Sequence, residues 1–319
     1  MMQLGLIGIG AGAAAALLFA SVTTGSWLSI ILFYLAPLPI MIAGLGWSHW
    51  AAMVAALSGA LAIGAVFGSV LFFTFFAAAG LPAWWLAYLT MLARPVAASG
   101  PNGAASLEWY PPGRLVAWAA VLAALVVVVA IPNFGTDAES FRLGLTKALT
   151  RMFQVEGELP AGTNIDRLIV FLVAAVPPAA AVIATITNVV NLWLAARIVN
   201  YSALLKRPWP DLSAITFPRA MVATLAVAMA VSFAGGLAAV VAGVLSASLM
   251  MAYGVLGFAV LHSITRGVPS RPFVLGGVYA SVAVFGWPIL ALCLFGIADT
   301  AFDLRARAAR KRGGPPTLT

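Results

Sequence analysis

The polar residues best suited to bind a solute lie within one apolar stretch, residues 168–200. A proline pair at positions 177–178 interrupts a helical pattern there and frees backbone carbonyls that neighbouring groups must satisfy. Asn188, Asn191 and Arg197 follow, at spacings that let them share helix faces with nearby polar and aromatic side chains. A broken helix with amide groups at membrane depth is typical of a substrate cavity. The same groups also join helices through hydrogen bonds, and the sequence leaves both interpretations open.

His262, four residues before Arg266, is a fourth cavity candidate and is open to the same two interpretations. The loop after the polar helix, residues 206–212, combines two cations, an aromatic ring and two rigid prolines. Such a loop is suited to bind lipid phosphates or a partner, or it is an anchored turn at the membrane interface. The candidate residues of this loop are Arg207, Trp209 and Asp211.

Enzyme and metal chemistry lack the residue patterns that they require. The two histidines, His49 and His262, are far apart, so the sequence has no His-x-x-x-His pair for zinc. It also has no Gly-x-Ser-x-Gly and no phosphate loop, and the single Cys293 cannot form an internal disulfide or a cysteine-based zinc site. All nine acidic residues fall in loops or at the ends of apolar runs, away from the bilayer midplane that a proton relay would use. We therefore predict that the protein is not an enzyme and has no catalytic residue, metal site or cofactor.

The composition predicts that lipid is the main solvent of this chain. Of its 319 residues, 63% are hydrophobic and 8% are charged, and no charged residue precedes Arg94. At about 20 apolar residues per crossing, the segment before Arg94 holds about four spans, which must be helical because lipid offers the backbone no hydrogen bonds. We predict an all-α, polytopic transmembrane helix bundle with eight or nine membrane helices. The candidate runs are residues 4–22, 27–46, 50–68, 71–92, 115–131, 168–196, 220–243, 244–265 and 272–298.

The apolar runs predict a single transmembrane domain over residues 1–304, followed by a basic, disordered tail over residues 305–319. Between the fifth and sixth runs, the Thr136-x-x-Glu139 pattern is typical of a capping box at a helix start. Apolar and basic residues then occupy different faces, which indicates an interfacial amphipathic helix over residues 137–155 that lies on the membrane. A loop helix packed against its own protein would show the same pattern.

The basic residues bear on orientation and partners. The net charge is +8, and five cations follow the last apolar run directly, where cytoplasmic anchoring residues occur. We therefore expect a cytoplasmic C-terminus and the lipid bilayer, not nucleic acid, as the partner. Nine spans give almost no charge bias, whereas a last run that re-enters at the Gly-Trp-Pro of residues 286–288 would place both termini in the cytoplasm. The five tail cations are Arg305, Arg307, Arg310, Lys311 and Arg312.

Three apolar runs carry small residues at every fourth position, a spacing that lets helix backbones approach closely. These small-residue ladders serve packing within the bundle or docking of another membrane subunit, since both uses need the same surface. The ladders are Gly8, Gly12, Ala16 and Ala20; Ala56, Ala60, Gly64 and Gly68; and Gly235, Ala239, Gly243 and Ala247.

Three segments, residues 188–199, 207–212 and 257–267, resemble the YybS-like bacterial membrane proteins, a family of unknown function. The resemblance covers most of the chain and is best in its second half. The family is grouped by distant similarity with the substrate-binding S components of energy-coupling factor transporters, which have about six helices, fewer than this chain has room for. The resemblance implies a bacterial inner-membrane protein that docks an energising partner through its first helix. The matching positions are Ala11, Ala15, Ala16 and Ala20.

Two functional hypotheses follow from these observations. The first is a transport-related solute-binding component whose cavity is lined by Asn188, Asn191, Arg197 and His262. The alternative is a non-transporting membrane scaffold or assembly factor that uses the small-residue ladders and the basic tail to hold partners.

Overall fold

The chain folds almost entirely into α-helices in a computed structural model, which describes residues 2–96, 106–156 and 165–311. Within those ranges, seven helical segments are long and apolar enough to cross a bilayer. The predicted all-α class is confirmed, and the protein is a multi-pass helical membrane protein. The segments are Met2–Thr24, Trp27–Gly46, His49–Phe67, Ser69–Thr90, Pro112–Asn133, Arg167–Tyr201 and Gly236–Ile264.

The helices are numbered in chain order. Helices α1 to α7 are Met2–Ala20, Trp27–Tyr34, Pro37–Gly46, His49–Phe67, Ser69–Phe75, Leu81–Thr90 and Pro112–Ala130. Helices α8 to α14 are Ala138–Glu156, Ile165–Tyr201, Ala220–Val231, Gly236–Ile264, Arg271–Phe285, Ile289–Phe302 and Leu304–Lys311. An antiparallel hairpin of β1, Ala93–Val96, and β2, Ser106–Trp109, connects α6 to α7.

The contacts within the chain divide it into two compact units, and the single transmembrane domain stays a prediction. Unit 1 comprises Met1–Ala119 and Ile186–Phe217, and unit 2 comprises Ala120–Thr185 and Pro218–Thr319. Helices α7 and α9 each contribute one part to unit 1 and the other part to unit 2.

The predicted boundary between the runs 220–243 and 244–265 is wrong. Helix α10 ends at Val231, and α11 begins at Gly236 and continues through the predicted boundary. The cause is the pair Gly235 and Gly236, whose φ angles of 81° and 68° are left-handed values that only glycine adopts at low cost. A 12-residue α10 is therefore followed by a 29-residue α11.

The last predicted run, residues 272–298, is broken where the sequence predicted an interruption. Gly286 has a φ of 71° and separates α12, of 15 residues, from α13, of 14 residues. Each is shorter than the roughly 20 residues that one crossing needs. The divided runs explain why seven long segments occur in the described ranges, beside three shorter apolar helices, where eight or nine spans were predicted.

Helices α1 and α4 of unit 1 are parallel neighbours because glycines allow their backbones to approach. Gly8 lies against Ala51, and Gly12 lies against Ala55 and Ser58. Residue numbers therefore increase in the same direction along both helices. A Cβ atom at Gly12 would collide with the Ala55 carbonyl and the Ser58 hydroxyl. The first ladder is therefore closed by α4, and we call it the closed ladder.

The second ladder is also used inside unit 1. A Cβ atom at Gly64 would press on the Phe72 side chain of α5. Ala56 is fully buried and lies beside Gly80, just before α6 begins. Small residues thus let α4 meet α1 on one face and the segment 72–80 on another.

Helix α8 begins at Ala138, close to the predicted start, but its cap differs from the predicted Thr136 capping box. Asp137 Oδ1 accepts hydrogen bonds from the backbone amides of Glu139 (3.0 Å) and Ser140 (2.9 Å). The Asp137 carboxylate, one residue after Thr136, accepts these amide hydrogens more strongly than a hydroxyl does. Asp137 is therefore the capping residue. The hydrogen bonds from Ser140 hold the pKa of Asp137 below its ordinary value.

The apolar face of α8 packs against its own unit. Phe141, Leu145 and Leu149 are buried in a cluster with Ile131. The partly buried residues around them include Val128 of α7, Leu172 of α9 and Val240 of α11. These contacts favour the interpretation of α8 as a loop helix packed on its own protein. Its position at the membrane interface stays a prediction.

The predicted disordered tail is helical at its start. Helix α14 covers Leu304–Lys311, and residues 312–319 lie outside the described ranges. The backbone turns at Asp303, whose φ of 50° ends α13, and Asp299 then binds Arg305. That ion pair, which sequence spacing did not reveal, fixes the first turn of α14.

Candidate functional site

The two amide side chains at the centre of the cavity hypothesis are buried in unit 1 and bind backbone carbonyls. Asn191 is 1% exposed, and its Nδ2 donates to the Tyr34 carbonyl of α2 and to the Thr187 carbonyl, both at 2.8 Å. Asn188 is 3% exposed, and its Nδ2 donates to the Ala119 carbonyl of α7 at 3.3 Å. Both amides therefore join α9 to another helix of the same unit.

A proline explains why the Tyr34 carbonyl accepts a side chain. Pro37 starts α3 three residues after α2 ends, and the Leu38 amide donates to Leu35 at 3.0 Å. The Tyr34 carbonyl is then left to the Asn191 amide, as expected where a break in a membrane helix frees a backbone group.

The Asn191 side chain has one further polar atom. Its Oδ1 is buried and has no hydrogen-bond donor among the described residues. A buried acceptor without a donor usually marks a bound water or another group, because desolvating it unpaired costs about 1–3 kcal/mol. The Asn191 Oδ1 therefore takes no part in the hydrogen bonds that join the helices.

Arg197 and Trp209, predicted in different segments, lie together. The Arg197 guanidinium carbon is 5.3 Å from the centre of the Trp209 ring and 5.0 Å from that of Tyr201. Its Nη2 also donates to the Tyr201 hydroxyl at 3.3 Å. Arg197 lies about 9 Å along α9 from Asn191, at 1.5 Å per residue, so it forms a separate cation–π group.

The loop residue Arg207 points inward. Its side chain is 6% exposed, and its Nη1 donates to the carbonyl of Thr90, the last residue of α6, at 3.1 Å. A guanidinium at a helix C-terminus satisfies a free carbonyl and offsets the negative end of the helix dipole. Burial lowers the pKa of Arg207, which nonetheless keeps its proton at any physiological pH.

Asp211 and Trp209 complete an anchored turn. Asp211 Oδ1 accepts hydrogen bonds from the Ser213 amide (2.9 Å) and hydroxyl (2.7 Å) and so starts a short 3-10 helix. Arg207 and Asp211 are thus engaged by their own unit, and Trp209 stacks on Arg197 while remaining partly exposed. No pattern in the sequence predicts that the Thr90 carbonyl accepts a hydrogen bond from Arg207.

His262 belongs to unit 2, whereas the other three cavity candidates belong to unit 1. Its Nε2 lies 2.9 Å from the Tyr279 hydroxyl of α12. The Tyr279 ring also stacks on Phe258 of α11, with ring centres 4.8 Å apart. Tyr279 was missed because a tyrosine inside an apolar run carries no spacing signal of its own.

Helix α12 is otherwise open. None of its 15 residues, all of them described, is buried. Phe273 is 84% exposed, and Val284 and Phe285 are also largely exposed. Tyr279 therefore holds an apolar helix that presents most of its surface to its surroundings.

The small residues of the two units also differ in how closely the described chain packs against them. Of the predicted docking positions in α1, Ala15 and Ala16 are buried within unit 1, and Ala11 and Ala20 are partly exposed. By contrast, a Cβ atom added at Gly243 of α11 would meet no atom of the described chain within 4 Å. We call this third ladder, centred on Gly243, the open ladder.

Comparison of the chain with protein families, with characterised proteins and with solved structures finds no match. The resemblance to the YybS-like family, and through it to S components, stays a prediction from the sequence.

Proposed function

We propose that the protein is a scaffold or assembly factor of the bacterial inner membrane, which holds partner membrane helices against the open faces of unit 2. The observation that carries the proposal is α12, an apolar helix without a buried residue among those described. At 1.5 Å per residue it is about 22 Å long, less than the roughly 30 Å of hydrocarbon in a bilayer. A helix of this kind offers contact area without completing a crossing of its own.

The polar contacts of unit 1 support the same proposal. Asn188 and Asn191 donate to backbone carbonyls, and Arg207 caps α6, so these groups hold helices in place. Small-residue packing needs no solute and is the usual way in which membrane helices associate. The open ladder around Gly243 provides such a surface on α11.

The expected location follows from charge. Helix α14 directly follows the apolar α13, and the chain from Leu304 onward carries five cations and no acidic residue. Positive residues next to a span favour the cytoplasmic side, so we place the C-terminus there.

Crosslinking in the host membrane tests the scaffold proposal. A photo-crosslinking amino acid in place of Phe273 should give a protein adduct of discrete mass, whereas the same probe in place of Leu6 should give lipid adducts. Leu6 is the matched control because it is an exposed apolar residue of α1, in the other unit. Identical lipid-only labelling at both positions would contradict the proposal.

A substitution on the open ladder separates partner binding from folding. Gly243→Leu should leave the yield and thermal stability of the purified protein unchanged but abolish the Phe273 protein adduct. Gly10→Leu is the control, since Gly10 is exposed and its added Cβ would also meet nothing within 4 Å in the described chain. Retention of the adduct in Gly243→Leu would show that the ladder does not hold the partner.

The unpaired Asn191 Oδ1 favours a second candidate, a solute-binding component of a transporter. A bound solute with an N–H or O–H donor would satisfy this acceptor. Native mass spectrometry of gently purified protein should then show a retained small molecule that is lost in Asn191→Leu. A protein that carries only lipid, in both wild type and variant, would exclude this candidate.

A further inference from the structure

We propose that α14 is a binding surface for the phosphate groups of anionic lipids, and that Asp299 positions it for this contact. The inference is independent of the scaffold proposal, because it concerns the lipid next to the last helix of unit 2 and requires no protein partner.

Helix α14 starts from a fixed point. Helix α13 packs tightly on α11 because Gly257 meets the Leu292 carbonyl and Gly296 meets the Tyr253 carbonyl. At such positions any side chain would separate the two helices. Since α13 is apolar and ends at Phe302, the basic α14 that follows it is suited to the layer where hydrocarbon gives way to headgroups.

An ion pair sets the direction of α14. Asp299, which is 4% exposed, accepts hydrogen bonds at Oδ2 from Arg305 Nε (2.9 Å) and Nη2 (2.7 Å). Its Oδ1 accepts the Arg305 backbone amide at 3.1 Å. Two side-chain bonds and one backbone bond to the same carboxylate fix both the position and the rotation of the first turn of α14.

Two further cations of α14 are exposed on its surface. Arg307 and Arg310 are exposed, and the Arg307 guanidinium carbon lies 6.0 Å from the ring centre of Phe302. Phe302 is itself an exposed aromatic ring at the end of the apolar helix. Exposed arginines beside an exposed ring match the headgroup layer, where phosphates pair with cations and rings enter the acyl boundary.

The nearby acidic residues do not neutralise the positive charge of this surface. Asp299 forms an ion pair with Arg305, and Asp303 is the other acidic residue next to α14 in the sequence. Arg307 and Arg310 therefore leave an excess of positive charge. Because phosphate recognition by a guanidinium needs the fork to be correctly placed, a fixed α14 binds better than a mobile basic tail.

Lipid titration of the full-length protein in detergent micelles, followed by native mass spectrometry, tests the surface. Phosphatidylglycerol should bind more tightly than phosphatidylcholine, and the double variant Arg307→Gln, Arg310→Gln should weaken phosphatidylglycerol binding by roughly 25-fold, about 5-fold per arginine. The control Arg142→Gln, Lys147→Gln removes two exposed cations from α8 and should change the affinity much less. An unchanged phosphatidylglycerol preference in the α14 variant would overturn the proposal.

Arg305→Lys tests the positioning role of Asp299 at constant net charge. Lysine cannot reproduce the two-pronged bond, so α14 should lose protection in hydrogen exchange and the phosphatidylglycerol preference should fall several-fold. A merely structural effect would lower the melting temperature and also raise exchange in α11 and α13, which we expect to remain protected. If the lipid preference of Arg305→Lys equals that of the wild type, Asp299 does not position α14 for lipid.

Discussion

The closed ladder of α1 and the open ladder of α11 have the same four-residue spacing but different surroundings. In unit 1, Gly12 lies so close to Ala55 and Ser58 that a methyl group could not be added. In unit 2, Gly243 has open space within the described chain. The spacing therefore shows that a helix can be approached closely, and it does not show which helix approaches.

The polar contacts repeat this contrast. Asn191 of unit 1 is buried and bonded to two carbonyls, whereas the contact between His262 and Tyr279 in unit 2 holds a helix that is otherwise exposed. These residues of unit 1 serve internal packing, whereas in unit 2 the described chain covers neither the space beside Gly243 nor most of the surface of α12.

The largest effect is expected at the closed ladder. Gly12→Leu should destabilise the protein by about 3 kcal/mol or more, because α1 would have to move away from α4. Thermal unfolding followed by size-exclusion chromatography measures the loss, with Gly10→Leu and Gly243→Leu as controls that should unfold like the wild type. Equal stability of Gly12→Leu and Gly10→Leu would remove the contrast between the ladders.

A smaller loss is expected at the amide pair. Asn191→Leu removes two hydrogen bonds and leaves the Tyr34 carbonyl unpaired, at a cost of about 2 kcal/mol. Asn188→Leu removes one longer bond and should cost about 1 kcal/mol. The same unfolding assay applies, and Asn200→Leu, at an exposed position of α9, is the control. A more stable Asn191→Leu would mean that this amide is kept for a purpose other than packing.

At the open edge of unit 2, the expected change is local. Tyr279→Phe loses the hydrogen bond to His262 but keeps the ring stack on Phe258, so the stability should fall by about 1 kcal/mol or less. Amide exchange in residues 271–285 should rise while exchange in α11 stays constant. Val284→Ala, an exposed change on α12, is the control. Faster exchange in α11 as well would show that α12 is more firmly integrated than its exposure indicates.

The smallest effect is expected at the cap of α8. Asp137 has a lowered pKa in the folded protein, because its carboxylate accepts hydrogen bonds from Ser140. Its contribution is therefore present at neutral pH and is lost as the pH falls from the ordinary pKa of an aspartate through that lowered pKa. Amide exchange in the first turn of α8 should increase under those acidic conditions and, at neutral pH, in Asp137→Ala. The buried face around Phe141 should remain protected in both cases.

Several elements could be predicted from the sequence because their signals are local. The start of α8 near residue 138 and the break at Gly286 follow from capping residues, glycine and proline next to apolar runs. The boundary at residue 243 was wrong because Gly235, Gly236 and Gly243 look alike in sequence. The left-handed φ angles of the first two, which end the helix, distinguish them.

The candidate site shows the limit of local signals. The polarity of Asn188 and Asn191 could be predicted, but their acceptors, Ala119 and Tyr34, are 69 and 157 residues away. Helix α14 was predicted to be disordered because composition does not reveal the turn after α13. That turn brings Arg305 to Asp299.

By itself, the sequence determined that the protein is an all-α membrane protein, because long uncharged apolar runs in lipid must bond their own backbone groups. The tertiary structure decided which small residues are covered, which carbonyls the amides reach and which helix stays exposed. These outcomes depend on which distant segments meet, since the same glycine spacing serves equally well facing another helix, lipid or a partner.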